Sequence, residues 1–95
     1  MAEPRLLMSD RQIELARHAL GLRPGRLVSH RNHFCAGPGH DDYVHWEAMV
    51  AGGFAVKRES KVLPAGDVLF HLTWAGAEQA LKPGDVLDPD DWPRQ

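Results

Sequence analysis

The 95-residue sequence lacks a second cysteine, so Cys35 cannot form a disulfide within the chain. A lone thiol suits a reducing compartment. No run approaches the roughly 20 consecutive apolar residues that a membrane helix needs. Residues 1 to 8 also carry no apolar signal segment with a small-residue cleavage site. These absences argue against a disulfide-stabilised or membrane-bound protein and predict a cytoplasmic one.

An excess of basic charge is also missing, since 11 Lys and Arg stand against 13 Asp and Glu, for a net charge of −2. Nothing therefore attracts the whole domain toward nucleic acid or anionic lipid. The charges are unevenly spread, because residues 62 to 95 hold two basic and six acidic residues, whereas residues 1 to 61 hold nine and seven. Any basic face must come from the first two thirds of the chain.

The composition is that of one ordinary folded domain. Apolar residues make up 43% of the chain and charged residues 25%, a balance typical of globular proteins. A chain this short has room for one hydrophobic core and not for a deep substrate cleft as well. We therefore predict a single domain over residues 1 to 84, followed by an acidic tail, rich in Pro and Asp, over residues 85 to 95.

Local signals predict a first helix over residues 10 to 20. Ser9 and Gln12 have the spacing of a capping box, in which each side chain accepts a hydrogen bond from the backbone of the other. Apolar residues follow at close to helical spacing. Gly21 then stands where a helix commonly ends in a left-handed residue.

A second helix is predicted over residues 42 to 51. The breaker Gly37-Pro38-Gly39 precedes it, and Asp41 or Asp42 is a preferred N-cap. Its apolar residues recur at the spacing of a core-facing stripe. They are Tyr43, Trp46, Met49 and Val50.

A β-hairpin should follow, because the apolar pattern changes to a period of two at Phe54. Val68, Phe70 and Leu72 form the returning strand, after a predicted long tip over residues 59 to 67. Thr73 is a plausible N-cap for a last helix over residues 74 to 81.

Residues 26 to 36 fit neither period and are interpreted as a short strand or an irregular segment. The order of helix, short segment, helix, hairpin and helix predicts an α+β, winged-helix-like domain. It would have about three helices and a two- or three-stranded antiparallel wing.

The runs from Trp46 to Glu59 and from Phe70 to Leu81 resemble the C-terminal half of MarR-type and PadR-type regulators. In those families a helix enters the wing through a Leu-x-x-x-Gly-Leu-like step, and the wing returns through Leu-Thr-x-x-Gly into a helix. The matching residues here are Met49, Gly53, Phe54, Leu72, Thr73 and Gly76. The likeness covers residues 43 to 81 and implies a winged helix that contacts DNA.

A second resemblance rests on the first half of the chain. The run from Arg31 to Phe34, the following glycine-rich loop and Asp42-Tyr43 are similar to small proteins encoded by bacteriophages and prophages. This likeness implies a phage-related protein.

The wing and the loops before the second helix carry the candidate DNA contacts. The predicted recognition helix offers Asp42, His45 and Glu47 and no Lys or Arg, so phosphate contacts must come from elsewhere. The alternative is that these are ordinary solvated charges. The candidates are Arg23, Arg26, Arg31, His45, Lys57, Arg58 and Lys61.

An interaction module is the alternative function. Trp74 and Trp92, beside acidic residues, have the make-up of an aromatic anchor in a polar rim, and the partner would be another protein or a second copy in a homodimer. The competing interpretation is that Trp74 packs on the hairpin and Trp92 is a loose surface residue.

Metal binding and catalysis are the remaining classes. His30, His33, Cys35 and His40 are ligand types that zinc prefers, but their spacing lacks the usual two ligand pairs. The alternative is that Cys35 is a buried structural residue. A thiol nucleophile would need an orienting group and a pocket that this length does not favour. We predict no metal, no cofactor and no enzymatic activity.

Overall fold

The computed structural model describes residues 7–59 and 67–92. The three strands form one antiparallel sheet, with the third strand between the first and the second. Over these residues the predicted α+β class is confirmed, with three helices and a three-stranded sheet in a winged-helix-like layout. In chain order the elements are α1 (Asp10–Leu20), β1 (Phe34–Ala36), α2 (Tyr43–Ala51), β2 (Ala55–Glu59), β3 (Val68–Leu72) and α3 (Trp74–Ala80).

Helix α1 has the predicted bounds and caps. The Ser9 hydroxyl accepts from the Gln12 backbone N–H at 3.1 Å, and the Gln12 side chain accepts from the Ser9 N–H at 2.9 Å. Gly21 ends the helix with a φ of 80°, in the left-handed region. The capping box was readable from sequence because both partners lie within one helical turn.

The segment before β1 is irregular up to residue 33, and β1 itself is only three residues long. Asn32 lengthens the pairing through its side chain. Its amide oxygen accepts from the Leu72 N–H at 2.8 Å, and its amide nitrogen donates to the Leu72 carbonyl at 3.2 Å. The side chain thus supplies both hydrogen bonds that a backbone neighbour in the sheet would supply.

The core lies between the helices and one face of the sheet. Trp46 and Phe70 are fully buried, and their rings stack with centroids 5.4 Å apart. Phe34 of β1 packs on Trp46 with centroids 5.1 Å apart. The predicted stripe of α2 is confirmed, since Met49 is also buried and Tyr43 and Val50 pack against the core.

The predicted hairpin is confirmed, with Val56 paired to His71 and Lys57 to Phe70. Most of its predicted tip, residues 60 to 66, lies outside the described residues. Thr73 caps α3 as predicted, because its hydroxyl accepts from the Gly76 N–H at 3.3 Å.

The segment predicted as an acidic tail from residue 85 packs on the domain over residues 85 to 92. The Val86 N–H donates to the Leu27 carbonyl at 2.8 Å, and the Ser29 N–H donates to the Val86 carbonyl at 2.9 Å. Trp92 is only 7% exposed and meets the Trp74 ring edge to face. The described C-terminal segment is therefore part of the fold.

Candidate nucleic-acid interface

Residues 15 to 40 carry four arginines and four histidines and no Asp or Glu. Arg17 is paired with Asp85. The other three, Arg23, Arg26 and Arg31, form no salt bridge among the described residues. Three of the seven predicted contact residues therefore stand together in the one long stretch of the chain without an acid.

Arg23 and Arg26 face each other across the turn Pro24-Gly25. Each backbone N–H donates to the other residue's carbonyl, at 3.2 and 2.9 Å. Directly opposed residues of an antiparallel pair project their side chains to the same side. Like charges in such a pair repel and destabilise it. The turn therefore presents two exposed arginine side chains on the same side.

Residues 30 to 33 place further basic groups beside this turn by covering the C-terminal end of α1. The Arg31 guanidinium donates to the His18 carbonyl at 2.8 and 3.2 Å, where the partial negative charge of the helix end favours a cation. The His30 N–H donates to the Leu20 carbonyl at 3.0 Å. The His30 ring lies against Gly21, where a side-chain carbon would come within 2.1 Å of Nε2.

These groups line one surface cleft of about 360 Å³, which we call the basic cleft. Its charged or titratable lining residues are His18, Arg23, Arg26, His30 and Arg31, and no described acidic residue lines it.

The three arginines lie close enough to His30 for their charges to act on its ring. The pKa of His30 is lowered, first by loss of hydration and then by the positive charges of Arg26, Arg31 and Arg23. The carboxylate of Asp91 acts on His30 in the opposite direction. Sequence reasoning did not include His18 or His30 among the contact residues. The signal that could have found them is the acid-free stretch itself.

The wing is less available than predicted. Lys57 Nζ lies 2.7 Å from the Glu47 carboxylate and 3.0 Å from the Tyr43 hydroxyl. The hydrogen bonds to Glu47 and Tyr43 raise the pKa of Lys57, so the ammonium is held in a pair. Arg58 is exposed, and Lys61 lies outside the described residues. Arg58 is thus the predicted wing contact that the structure leaves accessible.

The outward face of α2 carries no cation. Val44 on that face is 66% exposed, and Ala48 and Ala51 are exposed beside it. His45 is half-buried. Asp42 stands at the N-cap position without capping the helix, and instead accepts from Arg11 at 2.6 Å. The prediction that an Asp side chain caps α2 is therefore not met by Asp42.

A further difference from a helix-turn-helix is that residues 21 to 33 contain no helix, and α2 alone connects β1 to β2. The resemblance to regulators implied a recognition helix over residues 42 to 51. In the described part of the chain, that helix has no preceding partner helix of the usual kind, and its surface offers little to phosphates or base edges.

Burial argues against the predicted interaction pair, Trp74 and Trp92. Trp92 is enclosed by the domain, and Trp74 is half-buried, with their ring centroids 5.3 Å apart. The two rings hold the C-terminal segment on α3. Trp92 therefore cannot serve as an exposed anchor for a partner.

The His and Cys cluster is not brought together as a ligand set. Within residues 7–59 and 67–92, no group of three His, Cys, Asp or Glu side chains is placed to hold a metal ion. The interpretation of Cys35 as a buried residue is wrong, because it is exposed on the face of the sheet opposite the helices. Phe34, its neighbour, points to the core instead.

A larger cleft of about 890 Å³ runs along α1 and shares His18 and Arg23 with the basic cleft, but its other two arginines are paired with carboxylates. Arg11 pairs with Glu14 and Asp42, and Arg17 pairs with Asp85. An anion entering this cleft would compete with those carboxylates. The basic cleft is the better anion site, because its arginines have no such partners among the described residues.

Comparison with protein-family models, with curated proteins and with solved structures finds no match to this chain. The resemblances to MarR-type and PadR-type regulators and to phage proteins stay predictions. No helix in the described ranges is both long and apolar enough to cross a bilayer.

Proposed function

We propose that this protein contacts duplex DNA weakly and without reading its sequence, through the basic cleft rather than through the wing. The observation that supports this most strongly is the convergence of Arg23, Arg26 and Arg31 on one cleft with no acidic lining among the described residues. Guanidinium groups are well matched to phosphate oxygens, which they bind in a forked geometry.

The lack of sequence reading follows from what surrounds the basic cleft. Reading bases requires side chains on an element that enters a groove, commonly Arg, Lys, Asn or Gln on a helix. The exposed face of α2 has none of these, and the arginines of the basic cleft lie on loops. Phosphate contacts alone position a protein on DNA and carry no direct sequence information.

The alternative, a protein-interaction or assembly module, is favoured by one observation. The side of the sheet opposite the helices, which we call the outer sheet face, includes Val56 with 50% exposure, the exposed Cys35 and the half-buried Leu69. On the other side of the same strands Ala55 and Phe70 are buried. The outer sheet face carries a small apolar area among polar residues.

A salt titration of binding to arbitrary duplex DNA tests the proposal. Each phosphate contact contributes about −0.9 to the slope of log K against log salt, so three arginines predict a slope of about −3. Arg26→Ala should weaken binding similarly for all sequences and bring the slope to about −2. Fluorescence anisotropy of a labelled duplex at several salt concentrations gives both quantities.

Arg58→Ala is the matched control, because it removes the same charge from an exposed position on the wing. Its slope should stay near the wild-type value. Absence of binding at low salt, or an unchanged slope in the Arg23→Ala, Arg26→Ala double variant, contradicts the proposal and favours the outer sheet face as the functional surface.

A further inference from the structure

The basic cleft gathers more positive charge than one internal phosphate of a DNA strand requires. An internal phosphodiester carries one negative charge and lies on the convex surface of a regular rod. The basic cleft instead is concave and is lined by three arginines and two histidines. A phosphomonoester carries between one and two negative charges at neutral pH and three terminal oxygens that accept hydrogen bonds. Its charge and shape match the basic cleft better.

We propose that the basic cleft binds the terminal phosphate of a nucleic-acid strand. This inference rests on the proposed function, and it narrows the contact from the length of the duplex to its end.

The arrangement of the arginines supports a dianion as the occupant. Arg23 and Arg26 stand opposite each other across a two-residue turn, where their repulsion is relieved when one anion lies between them. Arg31 is already oriented by two hydrogen bonds to the His18 carbonyl, so part of the cost of ordering this side chain is met before binding.

His30 completes the wall of the basic cleft in a fixed position. Its backbone donates to Leu20, and its ring lies against Gly21. Loss of hydration and then the charges of the three arginines lower the pKa of His30, and a bound dianion would offset those charges. The ring is therefore a built-in reporter of anion binding that does not depend on DNA.

The first experiment uses inorganic phosphate alone and follows the ring signals of His30 by two-dimensional NMR at constant ionic strength. We expect a saturable shift in the wild-type protein. Arg26→Ala should weaken phosphate binding about tenfold, the loss of one charge-assisted contact. Arg58→Ala should leave it unchanged. A His30 signal that does not saturate, or that responds equally in both variants, overturns the inference.

The second experiment compares short duplexes of one sequence that end in 5′-phosphates or in 5′-hydroxyls. We expect the phosphorylated duplex to bind about tenfold more tightly, and Arg26→Ala to remove most of that preference. Equal binding of the two duplexes overturns the inference but leaves the proposed function standing. Saturable phosphate binding without binding of either duplex overturns the proposed function and this assignment of the phosphate to a strand end.

Discussion

Replacing Gly76 by alanine is expected to lower the free energy of unfolding by about 3 kcal/mol, the upper part of the range for overpacked sites. A Cβ at this position would come within 2.1 Å of the Phe54 carbonyl oxygen and 3.0 Å of its carbon. That carbonyl accepts the Thr73 N–H at 3.0 Å, so it cannot move away without losing a hydrogen bond at the start of α3. Urea denaturation measures the effect.

Alanine also favours a helix over glycine by about 1 kcal/mol, so a loss of stability here can only come from the contact with Phe54. Gly39→Ala is the matched control, because a Cβ at Gly39 would meet nothing within 4 Å and the residue has no positive φ. Its stability should stay within about 0.5 kcal/mol of the wild type. A Gly76→Ala protein as stable as this control would contradict the packing of α3 on the start of the wing.

Asp85→Asn is expected to cost about 3 kcal/mol, the lower end of the range for removing one partner from a buried ion pair. The side chains of Arg17 and Asp85 are 13% and 2% exposed, and they are hydrogen-bonded to each other. Arg17 also donates to the Ala80 carbonyl at 2.9 Å, and Asp85 accepts from the Lys82 N–H at 2.9 Å. The pair thus joins α1 to the end of α3 and to the C-terminal segment.

The same pair predicts that the free energy of unfolding of the wild type falls at acid pH. The hydrogen bonds from Arg17 and from the Lys82 backbone hold the pKa of Asp85 below its ordinary value of 3.8. Its contribution is therefore present above that value and is lost as the pH falls through the lower, folded pKa. The free energy of unfolding of Asp85→Asn should fall less steeply below about pH 4 than that of the wild type. Arg11→Met removes two surface ion pairs and should retain the pH dependence of the wild type at acid pH. If Asp85→Asn leaves the loss of stability at acid pH unchanged, Asp85 is not its cause.

The elements that the sequence predicted correctly depend on short-range signals. Ser9, Gln12 and Gly21 fix both ends of α1 within a few residues of the helix itself. The alternation around Val56 and Phe70 likewise predicts the hairpin, because every residue on a strand reports which face is buried.

The elements that sequence reasoning missed depend on distant partners. Asn32 joins the sheet through Leu72, and Val86 pairs with residues 27 and 29, almost 60 positions earlier. A Pro- and Asp-rich composition is typical of exposed segments, and nothing local shows that Asp85 will meet Arg17. Long-range pairing of this kind follows from the tertiary fold and not from the period of the sequence.

The candidate site, too, could be predicted only in part from the sequence. The sequence identified the basic residues, but it could not show which of them already have partners. Lys57 is paired with Glu47, ten residues away on another element. Arg23 and Arg26 have no salt-bridge partner among the described residues. Charge that is available for a ligand is therefore a property of the fold.

The most direct test of the central claim is a two-dimensional ¹⁵N NMR titration of the protein with a short duplex at low salt. If the basic cleft contacts DNA, the largest amide shifts will fall in residues 21 to 31, with only small changes on α2 and on the outer sheet face. Shifts centred on α2 and β2, with residues 21 to 31 unaffected, would contradict the account.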